Sequence, residues 1–330
     1  MVSRLDRRPL LVRLLADGEW HSGERLAERL HITRTAVWQQ VRALSALTGA
    51  IEAAPGRGYR LHSAVELLDA RRIRGAIDPA ARPLLRRLDV RFITDSTNQR
   101  LLEEAAPDGV HGHAVLAEYQ TAGRGRQGRD WFAPLGAGLC LSLGWRFERP
   151  AHALSGLSLA AGVVLRQALA QAGVTGLQLK WPNDLMHEHR KLAGILIEMR
   201  GELAGACTVV LGAGVNIALP RGAAARVSQP CTDLRAALGG KSPSRNALAA
   251  RILSLWLAML EQYSSAGFAP YHAAWRQADM LRGRNVAVRG VGGTIHGRAL
   301  EVAEDGALVV SVLGRPRRFY SGEVSIRSQP

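Results

Sequence analysis

The chain has 330 residues, 47% hydrophobic and 22% charged, which excludes a disordered or fibrous protein and leaves room for two or three globular domains. Cys140, Cys207 and Cys231 are odd in number, widely spaced and without a C-x-x-C pair, which argues against both a disulfide framework and a structural zinc site. The net charge of +15 suggests polyanionic partners, but Lys180, Lys191 and Lys241 are the only lysines among 43 basic residues. That arginine bias weakens the charge as evidence for nucleic acid, and it makes each lysine informative where an ammonium is needed rather than a guanidinium.

The N-terminal stretch carries no predicted signal peptide, because Arg13 and Asp17 break its apolar runs. Residues 1–62 read as a separate small domain. Leu10, Leu11, Leu14 and Leu15 share one helical face, Ser22 is an N-cap for a second helix, and a third helix runs from Thr33 to Leu47. Two short extended pieces around Pro55 and Gly56 follow, the order of a winged helix-turn-helix. At about 100° per residue, Val37, Val41, Leu44 and Leu47 fall on one side of the third helix, and Thr35, Trp38, Gln39 and Arg42 on the other. Trp38 there either covers a neighbouring element or enters a major groove; Arg57 and Arg60 in the wing are either phosphate contacts or solvated. Ten arginines against six acidic residues give residues 1–62 a net +4, so DNA binding rests on the motif more than on charge.

Residues 63–87 are expected to form a connecting helix and a proline-containing linker. From 88 to 280, β-rich runs such as HAVLAEY, LCLSLGW and TVVLGAG alternate with helical patterns at 154–172 and 244–263, the latter capped by Ser244 and striped by Leu248, Ile252, Trp256 and Leu260. This is a mixed α/β domain. The uncharged run Leu203–Pro220 is rich in glycine and reads as a buried strand and loop, so no membrane association is expected and a cytoplasmic location is. Residues 281–330 show only short alternating runs, which fits a small β-barrel.

The stretch EYQTAGRGRQGRDWFAP, 118–134, carries Gly123, Gly125 and Gly128 in the spacing G-x-G-x-x-G. A dinucleotide-binding turn needs a helix after the last glycine, and Pro134, Gly136 and Gly138 break one at once. GGKS at 239–242 fails as a phosphate loop because Arg235 stands where that pattern needs glycine. A flexible loop with arginine at alternate positions suits an anionic ligand instead. Trp131 beyond it lies against a ring or belongs to the core. KWPNDLM (180–186), RKLAGILIE (190–198) and GAGVN (212–216) place Lys180, Asn183, Asp184, Lys191 and Asn216 in apolar company, as if ammonium and amide groups converged on one anion. HGH at 111–113 and HEH at 187–189 have metal-compatible spacing but read as loops, so no protein-only metal site is expected.

DSTNQ (95–99), AEYQTAGRGRQGRDW (117–131), KWPNDL (180–185), RKLAGILIE and GAGVN occur in the order and approximate spacing of biotin protein ligases, and the helix-turn-helix resembles that of the bifunctional bacterial members that also repress the biotin operon. The resemblance covers nearly the whole chain. It implies an α+β protein with a winged helix-turn-helix, a central mixed α/β ligase domain of the class II aminoacyl-synthetase-like type, and a C-terminal SH3-like β-barrel. It implies ATP with Mg2+ adenylating biotin to biotinyl-5′-AMP, and transfer to a lysine of the biotin carboxyl carrier protein of acetyl-CoA carboxylase. Operator DNA and a ligand-promoted homodimer are the other implied partners.

On this resemblance Ser96, Thr97, Asn98 and Gln120 line the biotin pocket, and Arg124, Gly125 and Arg126 close over biotin and the adenylate. Lys191 reaches carboxylate and phosphate, so Lys191 and Arg126 are the catalytic candidates. Trp131, Lys180, Asn183, Asp184 and Asn216 serve the nucleotide side, and Thr35, Trp38, Gln39, Arg42 and Arg57 the DNA. The chain departs from the family at Gln127, where an arginine is usual, and matches poorly over residues 220–233. Two alternatives remain at this stage, a DNA-binding regulator that only senses ligand and a lipoate or other acyl protein ligase.

Overall fold

The computed structural model describes residues 7–330 except 105–108, 202–204, 221, 224–226, 228, 291–292, 322–324 and 329–330. The N-terminal unit holds α1 (Arg8–Leu15), α2 (Gly23–Leu30), α3 (Arg34–Thr48) and an antiparallel hairpin of β1 (Ile51–Ala54) and β2 (Gly58–Leu61). Ser22 and Thr33 accept the backbone N–H groups of Arg25 and Ala36, capping α2 and α3. Val37, Val41 and Leu44 are buried against Leu11, Leu15, Leu26 and Leu30. Leu47, expected on the same core side, is only half-buried; Thr48 takes the buried position, with its hydroxyl on the Leu44 carbonyl at 2.8 Å.

The connection, expected as a helix and a proline-containing linker over 63–87, holds one short helix. Only α4 (Ala70–Ala76), capped by Asp69, and a single 3-10 turn at Arg82–Leu84 are helical. Residues 64–69 stay irregular because side chains of the next domain hold their backbone: Arg245 Nη1 donates to the Glu66 carbonyl at 2.8 Å, Asn246 Nδ2 to the Leu67 carbonyl at 2.9 Å, and the Leu68 N–H donates to Glu118.

The central unit is built on β3 (Arg87–Thr94), α5 (Thr97–Glu103), β4 (His113–Gln120), β5 (Gly138–Phe147), α6 (Leu157–Gln171), β6 (Leu177–Lys180), β7 (Asp184–His187), β8 (Arg190–Gly201), β9 (Cys207–Asn216), α7 (Leu234–Ala237), α8 (Arg245–Ala266) and α9 (Ala269–Ala278). Seven strands pair in the order β3-β4-β5-β9-β8-β7-β6, parallel between β3 and β4 and antiparallel elsewhere. Helix α9, unread in the sequence, starts with Pro270 in its first turn, where a missing N–H costs nothing.

The period of two along the strands divides the sheet into two faces. Leu139, Leu141, Leu143 and Trp145 on β5, with Val209, Leu211, Ala213 and Val215 on β9, join the large core beneath α6 and α8. Segment 151–171, which includes α6, is apolar enough to resemble a membrane span by composition, yet it lies mostly buried as the central core helix. The alternate residues, Cys140, Ser142, Gly212, Gly214 and Asn216, face the opposite way, where α5 and the glycine loop lie. That second face holds the site.

Strands β10 (Asn285–Gly290), β11 (Gly293–Val302), β12 (Leu308–Val312), β13 (Arg315–Phe319) and β14 (Ser325–Ser328) form a five-stranded antiparallel sheet ordered β13-β12-β11-β10-β14. It docks on the central unit where Trp181 Nε1 donates to the Gly306 carbonyl at 3.0 Å and Ser155 Oγ to the Asp305 carbonyl at 2.5 Å. The molecule is therefore α+β, with an N-terminal helix-turn-helix, a central mixed domain and a β-rich C-terminal domain.

Candidate active site

A cleft of about 830 Å³ opens on the second face of the sheet and is lined by Ser96, Thr97, Asn98, Gln120, Arg124, Gly125, Arg126, Trp131, Lys180, Asn183, Asp184, Lys191 and Asn216. All the ligand-site candidates read from the sequence thus converge on one cavity, of a size that suits a small organic ligand and its co-substrate.

One end of the cleft is a buried polar floor. Gln120 Oε1 accepts the Thr97 N–H at 2.7 Å and the Thr97 hydroxyl at 3.1 Å. The hydroxyl of Ser142 lies 2.7 Å from Thr97 Oγ1 and 2.5 Å from Asn98 Oδ1, and Asn98 Nδ2 donates to Glu198 Oε2 at 2.8 Å. Gly212 stands opposite Ser142 in register, and a Cβ there would overlap the Asn98 amide, so glycine is what lets α5 settle onto the strands. Ser142 and Glu198 were missed in the sequence; their signal was one polar residue at the period of two within each of the runs LCLSLGW and LAGILIE.

At the other end Lys191 Nζ pairs with Asp184 Oδ1 at 2.7 Å, both side chains being largely buried, and lies 5.5 Å from the centre of the Trp131 ring. Trp131 packs closely on the sheet because β8 and β9 present glycines to it; a Cβ on Gly214 would overlap its indole, and one on Gly194 would press on both Trp131 and the Lys191 chain. Asn216 Nδ2 donates to the Thr232 carbonyl at 2.9 Å, the Thr232 N–H donates to the Lys191 carbonyl at 2.9 Å, and the Lys191 N–H donates to the Pro230 carbonyl at 2.9 Å. Asn216 therefore fastens part of the 220–233 segment beside Lys191. Residues 221, 224–226 and 228 of that segment lie outside the described residues.

The glycine loop is closed at its base by the Trp131 N–H on the Gly123 carbonyl at 2.8 Å and by an antiparallel backbone pairing of Arg124 with Asp130. No helix follows it; a single 3-10 turn at Arg126–Gly128 holds Gln127 at φ 57°. Arg124 bonds Gln99 and lies 3.6 Å from Glu198. Arg126 donates to Asn183 Oδ1 at 3.4 Å and to the Ser321 carbonyl, linking the loop to the C-terminal domain. Burial holds the Arg126 guanidinium below its usual range, against the pull of Asp184. Asn183 has a second task, donating to the Ile195 carbonyl at 2.6 Å. Burial pushes the Cys140 thiol up to about 12, so it is no nucleophile.

Several candidates lie elsewhere. Thr35, Trp38, Gln39 and Arg42 are all exposed on α3, with Trp38 48% accessible and the Arg42 guanidinium 5.2 Å from its ring. Arg57 lies 4.6 Å over Trp20, while Arg60 pairs with Glu52 at 2.8 Å. His111 packs 4.1 Å from the Trp145 ring and His113 sits between Asp89 and Glu104, while Glu188 and His189 are left-handed turn residues. Neither histidine motif forms a metal cluster among the described residues.

Residues 90–216 match the Biotin/lipoate A/B protein ligase family, residues 7–60 an HTH domain, and residues 282–327 the Biotin protein ligase C terminal domain. The chain is 39% identical over 318 residues to the bifunctional ligase/repressor BirA of Escherichia coli (strain K12), covering 96% of each. It is 38% identical to the biotin--[acetyl-CoA-carboxylase] ligase of Mycobacterium tuberculosis, covering 72% of this chain and 88% of that protein. The biotin protein ligase from Aquifex aeolicus in complex with biotin and ATP superposes with a TM-score of 0.64 at 26% identity, over 74% of this chain and all of that one.

Proposed function

The chain belongs to the biotin/lipoate A/B protein ligase family, and we propose on that footing that its cleft converts biotin and ATP to biotinyl-5′-AMP and passes the biotinyl group to a lysine of a biotin carboxyl carrier protein. One observation carries this reading: a single cleft joins a polar floor fit for a cyclic urea to a buried lysine beside an aromatic ring.

Ser96, Thr97, Asn98 and Gln120 take the ureido end, offering both donors and acceptors to a group that has both. The carboxylate then lies toward Lys191, and one of its oxygens bonds to the α-phosphorus as the bond to the bridging oxygen of the β-phosphate breaks and pyrophosphate leaves. Lys191, oriented by Asp184, faces the charge that gathers on the α-phosphate; a fixed ammonium in a partly dry site stabilises that charge without a covalent intermediate. Arg124, Gly125 and Arg126 form the lid, and Trp131, Lys180, Asn183 and Asn216 shape the nucleotide side. In the second step the carrier amine bonds to the acyl carbon, the carbon–oxygen bond to AMP breaks, and the amine releases its proton. Asp184 is the carboxylate that would hold a magnesium ion carried on the triphosphate, which would supply screening of phosphate charge and needs few protein ligands beside phosphate.

The chain is also a transcriptional repressor of biotin synthesis genes, with its helix-turn-helix as the DNA-reading part. The α3 face of Thr35, Trp38, Gln39 and Arg42, with Arg57 on the wing, is the surface it offers to operator DNA. Ligand-promoted dimerisation accords with the edge of β8 from Ile197 to Gly201, which among the described residues pairs as a strand only with β9 and exposes Met199. The finer reading is a class II synthetase-like centre over 88–280, a linker at 63–87, an SH3-like barrel over 281–330 and the DNA-binding domain over 1–62, in a cytoplasmic protein.

Incubation with ATP, magnesium, biotin or lipoate and an apo carrier domain tests the ligase reading. Transfer of biotin in preference to lipoate is expected; no biotin transfer overturns it.

A further inference from the structure

The leaving group of the first step needs cations of its own. In an in-line displacement pyrophosphate departs on the side away from the attacking carboxylate, hence away from the floor made by Thr97, Asn98 and Ser142. Most cations around the cleft are already engaged. Lys191 is paired with Asp184, Arg124 with Gln99 and Glu198, Arg126 with Asn183 and Ser321, and Arg129 with Gln127.

Arg289 differs from these. It comes from the C-terminal domain, near the end of β10, and it lines the same cleft as Ser96 and Lys191. Along β10 Val286 and Val288 turn into the core, while Arg289 is exposed and has no hydrogen bond or ion pair among the described residues. Its strand neighbour across the ladder is Ser325, four residues beyond Ser321, whose carbonyl holds Arg126. Arg289 thus enters the cleft from the same domain that holds the lid residue Arg126.

Building on the ligase reading above, we infer that Arg289 is a phosphate-binding residue for the β- and γ-phosphates of ATP and the pyrophosphate they become. The C-terminal domain thereby completes the active site. A planar fork of donors suits a terminal phosphate, and an exposed arginine without an ion pair among the described residues has none of those to break before binding it.

The test is biotin-dependent exchange of labelled pyrophosphate into ATP by the full chain, with Arg289→Ala and Arg289→Lys, alongside calorimetric binding of biotin alone. Arg289→Ala is expected to raise KM for both ATP and pyrophosphate about tenfold, with partial recovery in Arg289→Lys and a biotin Kd within about twofold of the parent. Unchanged KM values for ATP and pyrophosphate, or a change confined to KM for the carrier domain, overturn the assignment of Arg289 and leave the ligase reading intact. A parent protein that shows no biotin-dependent exchange overturns both.

Discussion

Tyr119 donates its phenolic hydrogen bond to the carbonyl of Leu47 at 2.8 Å, so the last turn of α3 is held by the residue that immediately precedes Gln120 of the cleft floor. Phe92, Ile93 and Leu135 of the central domain pack into the same helix-turn-helix core. A ligand that orders Gln120 therefore acts one residue from the anchor of α3. Losing the hydroxyl leaves the Leu47 carbonyl short of a partner, at about 1 kcal/mol, or roughly a fivefold change in an equilibrium. Tyr119→Phe is expected to reduce the gain in operator affinity on adding biotin and ATP by about that factor, with biotin ligation within about twofold of the parent. Gel-shift titrations with and without ligand, beside a transfer assay, check this.

Two glycines separate the ends of the cleft. Gly212→Ala drives a methyl into Asn98, and Gly214→Ala drives one into the Trp131 indole. The first is expected to raise KM for biotin at least about tenfold with a smaller effect on ATP, and the second to do the reverse. Steady-state kinetics in both substrates decide it, and equal effects of the two variants on the two constants contradict the division of the cleft.

Glu118 and Arg245 form an ion pair at 2.7 Å with both side chains almost wholly buried, beneath the irregular linker that Arg245 also binds. Removing one partner strands a buried charge, a loss on the order of 3 kcal/mol. Glu118→Ala is expected to lower the free energy of unfolding in urea by about that amount. Glu118→Gln keeps the acceptor for Leu68 and should lose less.

His113 lies buried between Asp89 and Glu104. Burial holds its imidazole below the usual value of 6.5, aided by Arg87 and opposed by the two carboxylates. A base whose folded pKa is depressed stabilises the fold above its unfolded pKa, and that stability is lost as pH falls through the folded value. Stability should accordingly decline as pH drops below about 6.5, and His113→Gln should flatten that part of the curve. Thermal unfolding between neutral and mildly acid pH reads it; identical slopes contradict it.

What could be read from the sequence and what could not follow from the range of the interactions. The face of α3 and the stripe of α8 were legible because a helix repeats its neighbours every 3.6 residues, and Leu248, Ile252, Trp256 and Leu260 are indeed buried. Lys191 stood out because lysine is scarce here, and the structure puts it against Asp184 from the neighbouring motif. Ser142 and Glu198 were hidden because each is one polar residue in an apolar strand, given meaning only by a register with β9. The short extent of the helix at 70–76 was not legible, because Arg245, Asn246 and Glu118, far away in sequence, hold the backbone of residues 66–68 before it. Arg289 reaches the cleft, and Ser321 the Arg126 guanidinium, only through the docking of the C-terminal domain, for which no local pattern exists.

The central claim is that Lys191 stabilises the charge of the adenylation step. Single-turnover formation of biotinyl-5′-AMP by the parent and by Lys191→Ala, at saturating biotin and ATP, tests it most directly. A fall of about 10²-fold or more in rate, with biotin binding largely retained, is the predicted result. Equal rates in the two proteins would contradict the account.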